Sequence, residues 1–289
     1  MNVQIIQVPY DSGHRSLRAG SGPEHLIHNG LVQTLQSEGH EVSVETVESQ
    51  AEFRAEVQTQ FELYRTLAGR VARSRQAGRF PLVLSGNCGA SLGVIAGRDT
   101  KRLGVIWFDA HGEFNTPETT TSGFLDGMGL AIATGLCWTK LAASIPGFRP
   151  IPGSNVLLIG GRDFDAGEQD RLEQSGVTVI DYATIEKSGL RDALQRGISK
   201  LVGAVDEIHV HIDPDALDAK EAPANSFQFL TEGGMSVEQL SEAIALIKKD
   251  RMITSTTIAS FEPEYDPQAK TLNALLKLIK QILDSESSS

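Results

Sequence analysis

The sequence predicts an α/β protein with a single, mainly parallel, eight-stranded sheet flanked by helices. Three observations support this class: short runs rich in Val and Ile alternate with helical stretches, most of these runs are apolar on both faces, and no low-complexity linker interrupts the 289 residues. Strands that are apolar on both faces suit a sheet covered by helices on both sides. The alternation itself is typical of parallel strands connected through helices.

Eight short segments have the composition and length of buried strands. They stand, in chain order, at 3–8, 41–46, 81–84, 103–108, 155–159, 177–180, 207–212 and 253–260. Helical stretches lie between and after them, at 51–77, 90–97, 127–134, 167–174, 190–201, 237–249 and 270–283. Gly78 ends the first of these helices, and Ser236 followed by Gln239 forms the capping pattern of the helix at 237. We expect one domain over 1–284 and a disordered tail at 285–289.

The composition indicates a globular protein of the cytoplasm. The formal net charge is −11 at pH 7 and no stripe of Lys and Arg is present, which argues against a nucleic-acid partner. The first residues lack the basic and apolar regions of a signal peptide, and no run of about 18 apolar residues predicts a membrane span. The two cysteines, Cys88 and Cys137, are too few for a disulfide framework and fit a reducing compartment.

Two clusters of metal-capable side chains follow apolar runs that end abruptly. The first contains Asp109, His111 and Glu113, and the second contains Asp213 and Asp215. In open parallel sheets, ligands bind outside the carboxyl ends of the strands, where both clusters stand. Within each cluster the residues are two positions apart, and such residues share a face of an extended chain. The pattern predicts the two halves of one metal site.

The charges of the clusters also indicate metal ions. Four carboxylates in one cavity repel one another, and a pair of divalent ions would compensate them. Carboxylates with one imidazole favour a hard or borderline ion such as Mn²⁺. For either cluster alone, the alternative is that its aspartates cap helices or form turns. His211 shares a face with Asp213 and could support a ligand from behind. No Gly-rich phosphate loop follows the first strand, which argues against a nucleotide site.

The two clusters resemble the D-A-H-x-D and D-x-D stretches of the arginase/agmatinase (ureohydrolase) family of manganese enzymes. The segments 115–123 and 159–168 are similar to two substrate loops of arginases, and Ser260-Phe261-Glu262-Pro263 falls where the family has a guanidinium-binding glutamate. The stretch 9–31, with Gly20-Ser21-Gly22-Pro23, is similar to the start of the family's first helix. The resemblance extends over nearly the whole chain and implies an arginase-like three-layer α/β/α fold.

The resemblance implies hydrolysis of a guanidino compound, arginine or a modified arginine such as N-hydroxyarginine, to urea and an amine. A hydroxide bridging two Mn²⁺ ions in each chain would be the nucleophile. The implied metal ligands are Cys88, Asp109, His111, Glu113, Asp213 and Asp215. The implied substrate-binding residues are Asn115 and Ser122 for an α-carboxylate, Asp165 and Glu168 for an α-amino group, and Glu262 for the guanidinium. The implied catalytic residues are Asp109, Asp126 and Glu262. The resemblance also implies a homo-oligomer, a trimer or a hexamer.

Two of the implied ligands depart from the family's pattern. Cys88, in Ser85-Gly86-Asn87-Cys88, stands where the family has a histidine. A thiolate is softer and more negative than imidazole, so the ion there would be zinc, iron or cobalt, or would be bound weakly. Alternatively, Cys88 is a small buried residue without a ligand role. Glu113 replaces an aspartate, which moves its oxygens by about one bond length. It could also be a solvated loop residue.

A third departure is Phe124-Leu125-Asp126, where arginases have a carboxylate-contacting asparagine and a proton-shuttling histidine. Phe124 cannot donate a hydrogen bond. Asp126 could relay a proton, but with an ordinary pKa of about 4 it would be a poor acid at neutral pH. Alternatively, Asp126 is the N-cap of the next helix. Formiminoglutamate, agmatine and guanidinobutyrate remain possible substrates. A non-catalytic ligand-binding or assembly protein of the same fold is the alternative function.

Overall fold

The computed structural model describes residues 1–98, 100–224, 231–249 and 253–284. The predicted tail at 285–289 lies outside the described residues. All eight predicted strands are present and form one parallel sheet, which confirms the predicted fold class. They are β1 Asn2–Val8, β4 Glu41–Thr46, β5 Phe80–Ser85, β6 Leu103–Phe108, β7 Val156–Ile159, β8 Thr178–Ile180, β9 Glu207–Ile212 and β10 Ile253–Ile258. A small antiparallel hairpin adds β2 Tyr10–Asp11 and β3 His14–Arg15.

The sheet is flanked by α-helices. Those in the described part of the chain are α1 Gly22–His28, α2 Leu31–Ser37, α3 Glu56–Gln76, α4 Ser91–Ala96, α5 Gly129–Ala133, α6 Thr139–Ala142, α7 Ala166–Ser175, α8 Tyr182–Ser188, α9 Leu190–Ala204, α10 Val237–Lys248 and α11 Lys270–Leu283. The sequence analysis did not predict α1, α2, α6 or α8, each of which has seven residues or fewer. Apolar spacing hardly repeats over that length, although α4 and α5, which are as short, were predicted. No helix of the described residues is long and apolar enough to cross a membrane.

The long helix α3 begins at Glu56, not at the predicted residue 51. The residues just before it bond to the side of the helix: the N–H of Gln50 donates to Glu62 Oε1 at 2.7 Å, and the Ser49 hydroxyl donates to Glu62 Oε2 at 2.9 Å. These bonds hold the preceding segment beside the helix, so the helix cannot extend through it.

Side chains that alternate along the strands fill two separate apolar cores. On β6, Ile106 and Phe108 enter one core, while Val105 and Trp107 enter the other. The first core is completed by residues from α1, α2, α8, α9, α10 and α11, and the second by residues from α3 to α7. Burial on both faces explains why central strands such as β6 and β7 are continuous apolar runs in the sequence. The molecule therefore has the predicted three layers.

The strand order places several chain segments at one edge of the sheet. The order is β4-β1-β5-β10-β9-β6-β7-β8, with β5, β10, β9 and β6 at the centre. Because these four strands are parallel, the segments that follow them emerge side by side. Those segments carry Cys88 after β5, Glu262 after β10, Asp213 after β9 and Asp109 after β6.

Candidate metal centre

The loops that follow β6 and β9 form the base of the site. The backbone N–H of Ala110 donates to Asp215 Oδ1 at 3.0 Å, and that of Asp215 donates to Asp213 Oδ1 at 2.9 Å. The N–H of His111 donates to Asp109 Oδ1 at 2.8 Å. Since β6 and β9 are paired in the sheet, the residues that follow them meet. The structure thus brings the two predicted clusters together.

Two groups of three side chains have the spacing of metal ligands. One consists of Asp109, His111 and Asp215, and the other of Cys88, Asp109 and His211. Within each group, one ligand atom from each residue lies within 4.8 Å of those of the other two. Asp109 belongs to both groups. Two ions could therefore lie side by side with the Asp109 carboxylate between them.

One side of the site, the His111 side, is formed by Asp109, His111 and Asp215. The charges on this side compensate one another. His111 Nδ1 lies 3.1 Å from Asp215 Oδ2 and 3.3 Å from Asp109 Oδ1. Burial alone would lower the pKa of His111, but Asp215 and Asp109 raise that pKa well above its ordinary value. Burial alone would raise the pKa of Asp215, yet the charge and the hydrogen bond of His111 keep it below its ordinary range. The imidazole ring therefore stands where a cation is favoured.

The other carboxyl groups at the bottom of the site repel one another. Burial raises the pKa of Asp109, Asp213 and Glu113, and neighbouring carboxylates raise each pKa further. Divalent ions would compensate this charge in place of protons. The carboxylate and imidazole donors also match the chemistry of a hard or borderline ion. The residues present therefore fit a metal centre.

Cys88 belongs to the other side of the site, the Cys88 side, which it forms with Asp109 and His211. It begins a 3₁₀ turn, Cys88–Ala90, that follows β5, and only 2% of it is exposed. The thiol donates to Asp213 Oδ2 at 3.2 Å, and its Sγ lies 3.2 Å from Ser260 Oγ. Burial, and then the nearby carboxylates, raise the pKa of the thiol well above its ordinary value. The residue is buried, as the alternative interpretation expects, but it also faces the carboxylates of the site.

His211 lies beneath the site and is fully buried. Its ring stacks on Trp107, with centroids 3.6 Å apart and planes inclined by 16°. Its Nδ1 lies 2.8 Å from Ser91 Oγ, whereas its Nε2 is buried without a hydrogen-bond partner. The sequence predicted only a supporting role for His211, but the structure places it among the possible ligands.

Glu113 lies in the same cavity but has other contacts. Its backbone has a φ of +56°, which is uncommon for a residue with a side chain. Its Oε2 accepts the N–H of Gly129 at 3.3 Å. Glu113 is 5% exposed, so it is not a solvated loop residue. Among the described residues, neither three-residue ligand group includes it.

Asp126 is not the cap of a helix. It begins the 3₁₀ turn Asp126–Met128, and neither that turn nor α5 has a side-chain cap. Instead, its two oxygens accept hydrogen bonds from Asn87 Nδ2 at 2.8 Å and from the N–H of Gly89 at 3.0 Å. Burial raises the pKa of Asp126 to about 7, although these hydrogen bonds lower it. The expectation of an ordinary pKa is therefore wrong, because the carboxyl group is removed from water.

A cavity of about 300 Å³ opens above the metal-capable residues. Among the residues that the structure describes, nine carboxylates line it, against a single arginine, Arg18. The acids are Asp11, Glu113, Asp126, Asp163, Asp165, Glu168, Asp213, Asp215 and Glu262. Glu262, which is 5% exposed, lies in its wall after β10, with Ser260 and Phe124 also in the lining. The excess of negative charge favours a cationic ligand.

The four other predicted substrate residues are also in the cavity lining, in two different settings. Asn115 Nδ2 donates to Asp165 Oδ2 at 2.9 Å, while Ser122 is an exposed residue whose Oγ accepts the N–H of Phe124 at 3.3 Å. Glu168 is buried, and its two oxygens accept the N–H groups of Phe114 at 2.7 Å and Asp165 at 3.2 Å. Glu168 therefore also holds the loop after β6 against α7.

A polar network beside Cys88 was missed by the sequence analysis. Asn87 Nδ2 lies 3.3 Å from Asp11 Oδ1, which forms an ion pair with Arg18 at 2.9 Å. Through Asn87, this network reaches Asp126. The adjacency of Asn87 to Cys88 was the only signal in the sequence that could have identified it.

Comparisons with known proteins identify the family of the chain. The sequence matches the "Arginase family" over residues 1–284. It is 30% identical to an arginase of Bacillus caldovelox, over 96% of each chain. The structure is similar to that of arginase from Bacillus cereus, with a TM-score of 0.90, 27% identity and full coverage of both chains. A formimidoylglutamase of Bacillus subtilis shares the fold, with a TM-score of 0.76 at 20% identity, over 98% of this chain and 86% of that chain. The chain belongs to the arginase family.

Proposed function

We propose that this protein is a metal-dependent hydrolase that releases an amine from a guanidino compound, arginine or a modified arginine such as N-hydroxyarginine. The other product is urea, or hydroxyurea when a terminal guanidino nitrogen carries the hydroxyl group. One observation carries the proposal: two groups of metal-capable side chains share Asp109 beneath an acidic cavity whose wall contains Glu262. The arginase relatives support the same type of hydrolase. The proposal includes the cytoplasm as its location, a homo-oligomeric state and residues 1–284 as the functional domain.

The chain's own residues would hold two divalent ions, with Mn²⁺ expected on the His111 side. Asp109, His111 and Asp215 would hold one ion. Cys88 and Asp109 would contribute to the other, with Asp213 beside the thiol at 3.2 Å. Bound divalent ions would lower the pKa of a water molecule and so supply a nucleophile at neutral pH.

Substrate recognition would begin with the charge of the cavity. The carboxylate of Glu262 can accept two parallel N–H groups from a planar guanidinium, which fixes both distance and orientation. Asn115, Ser122 and Asp165, with Glu168 behind them, lie where they could bind the amino-acid end of the substrate. Phe124 presents an apolar ring in the same wall, so it restricts the tail of the substrate without bonding to it.

Asp126 is our candidate for the residue that moves a proton. A general acid works best when its pKa is near the working pH, and burial brings the pKa of Asp126 to about 7. The donors Asn87 and Gly89 hold the carboxyl group in one orientation. Its side chain lines the cavity, where it could deliver a proton to the departing amine.

The proposal is tested by incubating metal-reconstituted protein with a panel of guanidines and measuring urea, or hydroxyurea in the case of N-hydroxyarginine. The panel contains arginine, N-hydroxyarginine, agmatine and guanidinobutyrate, with formiminoglutamate assayed separately through its own products. We expect urea from an amino-acid guanidine and little from agmatine, which lacks the α-carboxylate. Absence of turnover with every compound, in protein shown to contain metal, would refute the proposal and favour the non-catalytic alternative.

A further inference from the structure

We infer that His211, and not Glu113, completes the ligand set beside Cys88. This metal position would then have sulfur, nitrogen and carboxylate donors, and it would favour zinc or cobalt over manganese. The inference rests on the proposed metal-dependent function and specifies which residues hold one of its ions.

The free nitrogen of His211 is the first argument. Its Nδ1 already bonds to Ser91 Oγ at 2.8 Å, so Nε2 is the nitrogen left to bind an ion. A buried nitrogen without a partner is costly and calls for an explanation. His211 forms a group with Cys88 and Asp109 whose ligand atoms lie within 4.8 Å of one another. A metal ion between these atoms would satisfy the nitrogen.

The surroundings of His211 fix its ring as a ligand ring. Trp107 covers one face at 3.6 Å, and the Trp107 Nε1–H donates to Asp109 Oδ2 at 2.9 Å. The same indole thus orients both the imidazole and the shared carboxylate. When Nδ1–H donates to Ser91 Oγ, the lone pair of Nε2 is available to a metal. Ser91 Oγ can then donate to His209 Nε2, which lies 3.2 Å away.

Glu113 is oriented differently. Its Oε2 accepts the N–H of Gly129, and its backbone carbonyl accepts the N–H groups of Leu130 and Ala131 at 2.9 and 3.0 Å. These bonds hold the residue against the start of α5. Among the described residues, the Glu113 carboxylate belongs to neither group of closely spaced ligand atoms.

The charge of the ligand set is the third argument. If Cys88 binds as a thiolate and Glu113 also binds, the set carries one more negative charge than a histidine and an aspartate would at these two positions. If the neutral imidazole of His211 takes the place of Glu113, the total charge returns to that of the histidine and aspartate pair. Sulfur and nitrogen donors together favour zinc or cobalt over manganese.

A cobalt titration of the full-length protein tests this inference. Bound metal is counted by mass spectrometry, and the near-ultraviolet charge-transfer band of a thiolate–cobalt bond reports the ion at Cys88. We expect two ions and a strong band in the wild type. His211→Gln should weaken cobalt binding at this position at least about 10-fold, with loss of the band at limiting cobalt. Glu113→Gln, and the control His40→Gln at a buried histidine outside the cavity lining, should retain both ions and the band.

The outcomes separate the inference from the proposed function. A wild type that binds no metal contradicts the proposed function itself. A wild type with two ions, in which His211→Gln keeps the band or Glu113→Gln is the variant that loses the ion, overturns only the inference. If His211→Gln does not fold, X-ray absorption of zinc-loaded His111→Gln decides. We expect sulfur and imidazole nitrogen around one zinc, and sulfur without imidazole would overturn the inference.

Discussion

The His111 side and the Cys88 side of the candidate metal centre share Asp109 but are stabilised by different interactions. His111 lies within 3.3 Å of two carboxylates, so positive and negative charges already compensate one another there. On the other side, the uncharged thiol of Cys88 bonds to Asp213, and the free nitrogen of His211 lies nearby. Metal binding would release a proton from the His111 ion pair on the first side. On the second side it would release a proton from the buried thiol of Cys88.

One metal centre can therefore combine two positions whose ligands differ in charge and chemistry. Thiolate formation at Cys88 is opposed by burial and by nearby carboxylates, so binding there must release a proton. We therefore expect the two positions to differ in metal preference and in the order in which they fill. The following variants test that expectation, beginning with the largest effect.

Asp109→Ala should remove the carboxylate that the two ligand groups share. Without this carboxylate, both ligand groups lose a member, so we expect less than one bound ion per chain and a loss of activity greater than about 100-fold. Metal counting and a urea assay measure the two effects. Asp218→Ala, beside the second cluster but outside both ligand groups, is the control and should bind two ions. Normal metal content in Asp109→Ala would show that the two sides are independent.

Asp126→Asn tests whether the Cys88 side also provides the proton. The asparagine keeps the size of the side chain but cannot deliver a proton, so we expect kcat to fall by about 100-fold. KM and bound metal should stay within about twofold of the wild-type values. Steady-state kinetics on metal-saturated protein measures this. An unchanged kcat would exclude Asp126 as the proton donor.

Glu262→Gln should weaken substrate binding without changing either metal position. Loss of one charged hydrogen-bond acceptor costs about 2 kcal/mol, which corresponds to roughly a 30-fold fall in kcat/KM. Kinetics with arginine and N-hydroxyarginine provide the measurement. Glu264→Gln, at an exposed position two residues away, should behave as the wild type. Equal effects of both substitutions would show that Glu262 does not contact the guanidinium.

Cys88→His should make the metal preference of the Cys88 side more like that of the His111 side. A second imidazole in place of the thiol favours manganese, and we expect roughly tenfold tighter manganese binding at this position. A manganese titration by calorimetry measures the change, with Cys137→Ser as the control for loss of a buried thiol. If Cys88→His instead abolishes metal binding, the thiolate is a ligand to which the rest of the site is adapted.

Much of the fold could be predicted because its signals are local. A central strand such as β6 is a short apolar run, since neighbouring residues such as Val105 and Ile106 face the two different cores. The meeting of Asp109 with Asp213 was also predictable, because parallel strands end at the same edge of the sheet. Four short helices, α1, α2, α6 and α8, were missed, since apolar spacing hardly repeats over seven residues or fewer.

The details of the site depend on contacts that the sequence does not reveal. The orientation of His211 depends on Trp107 from a neighbouring strand and on Ser91 from α4, which lie far from it in the chain. The pKa of Asp126 depends on how deeply its turn is buried. The direction in which the Glu113 side chain points depends on the positive φ of its own backbone. All three properties arise from packing between distant segments.

The most direct test of the central claim is the number of metal ions that the wild-type chain binds at equilibrium. Protein stripped of metal is dialysed against excess Mn²⁺ or Co²⁺, and the bound metal is counted. We expect about two ions per chain, with different affinities for the two ions and a thiolate–cobalt band that accompanies only one of them. A chain that binds no ion, or two equivalent ions without any thiolate signal, would contradict it.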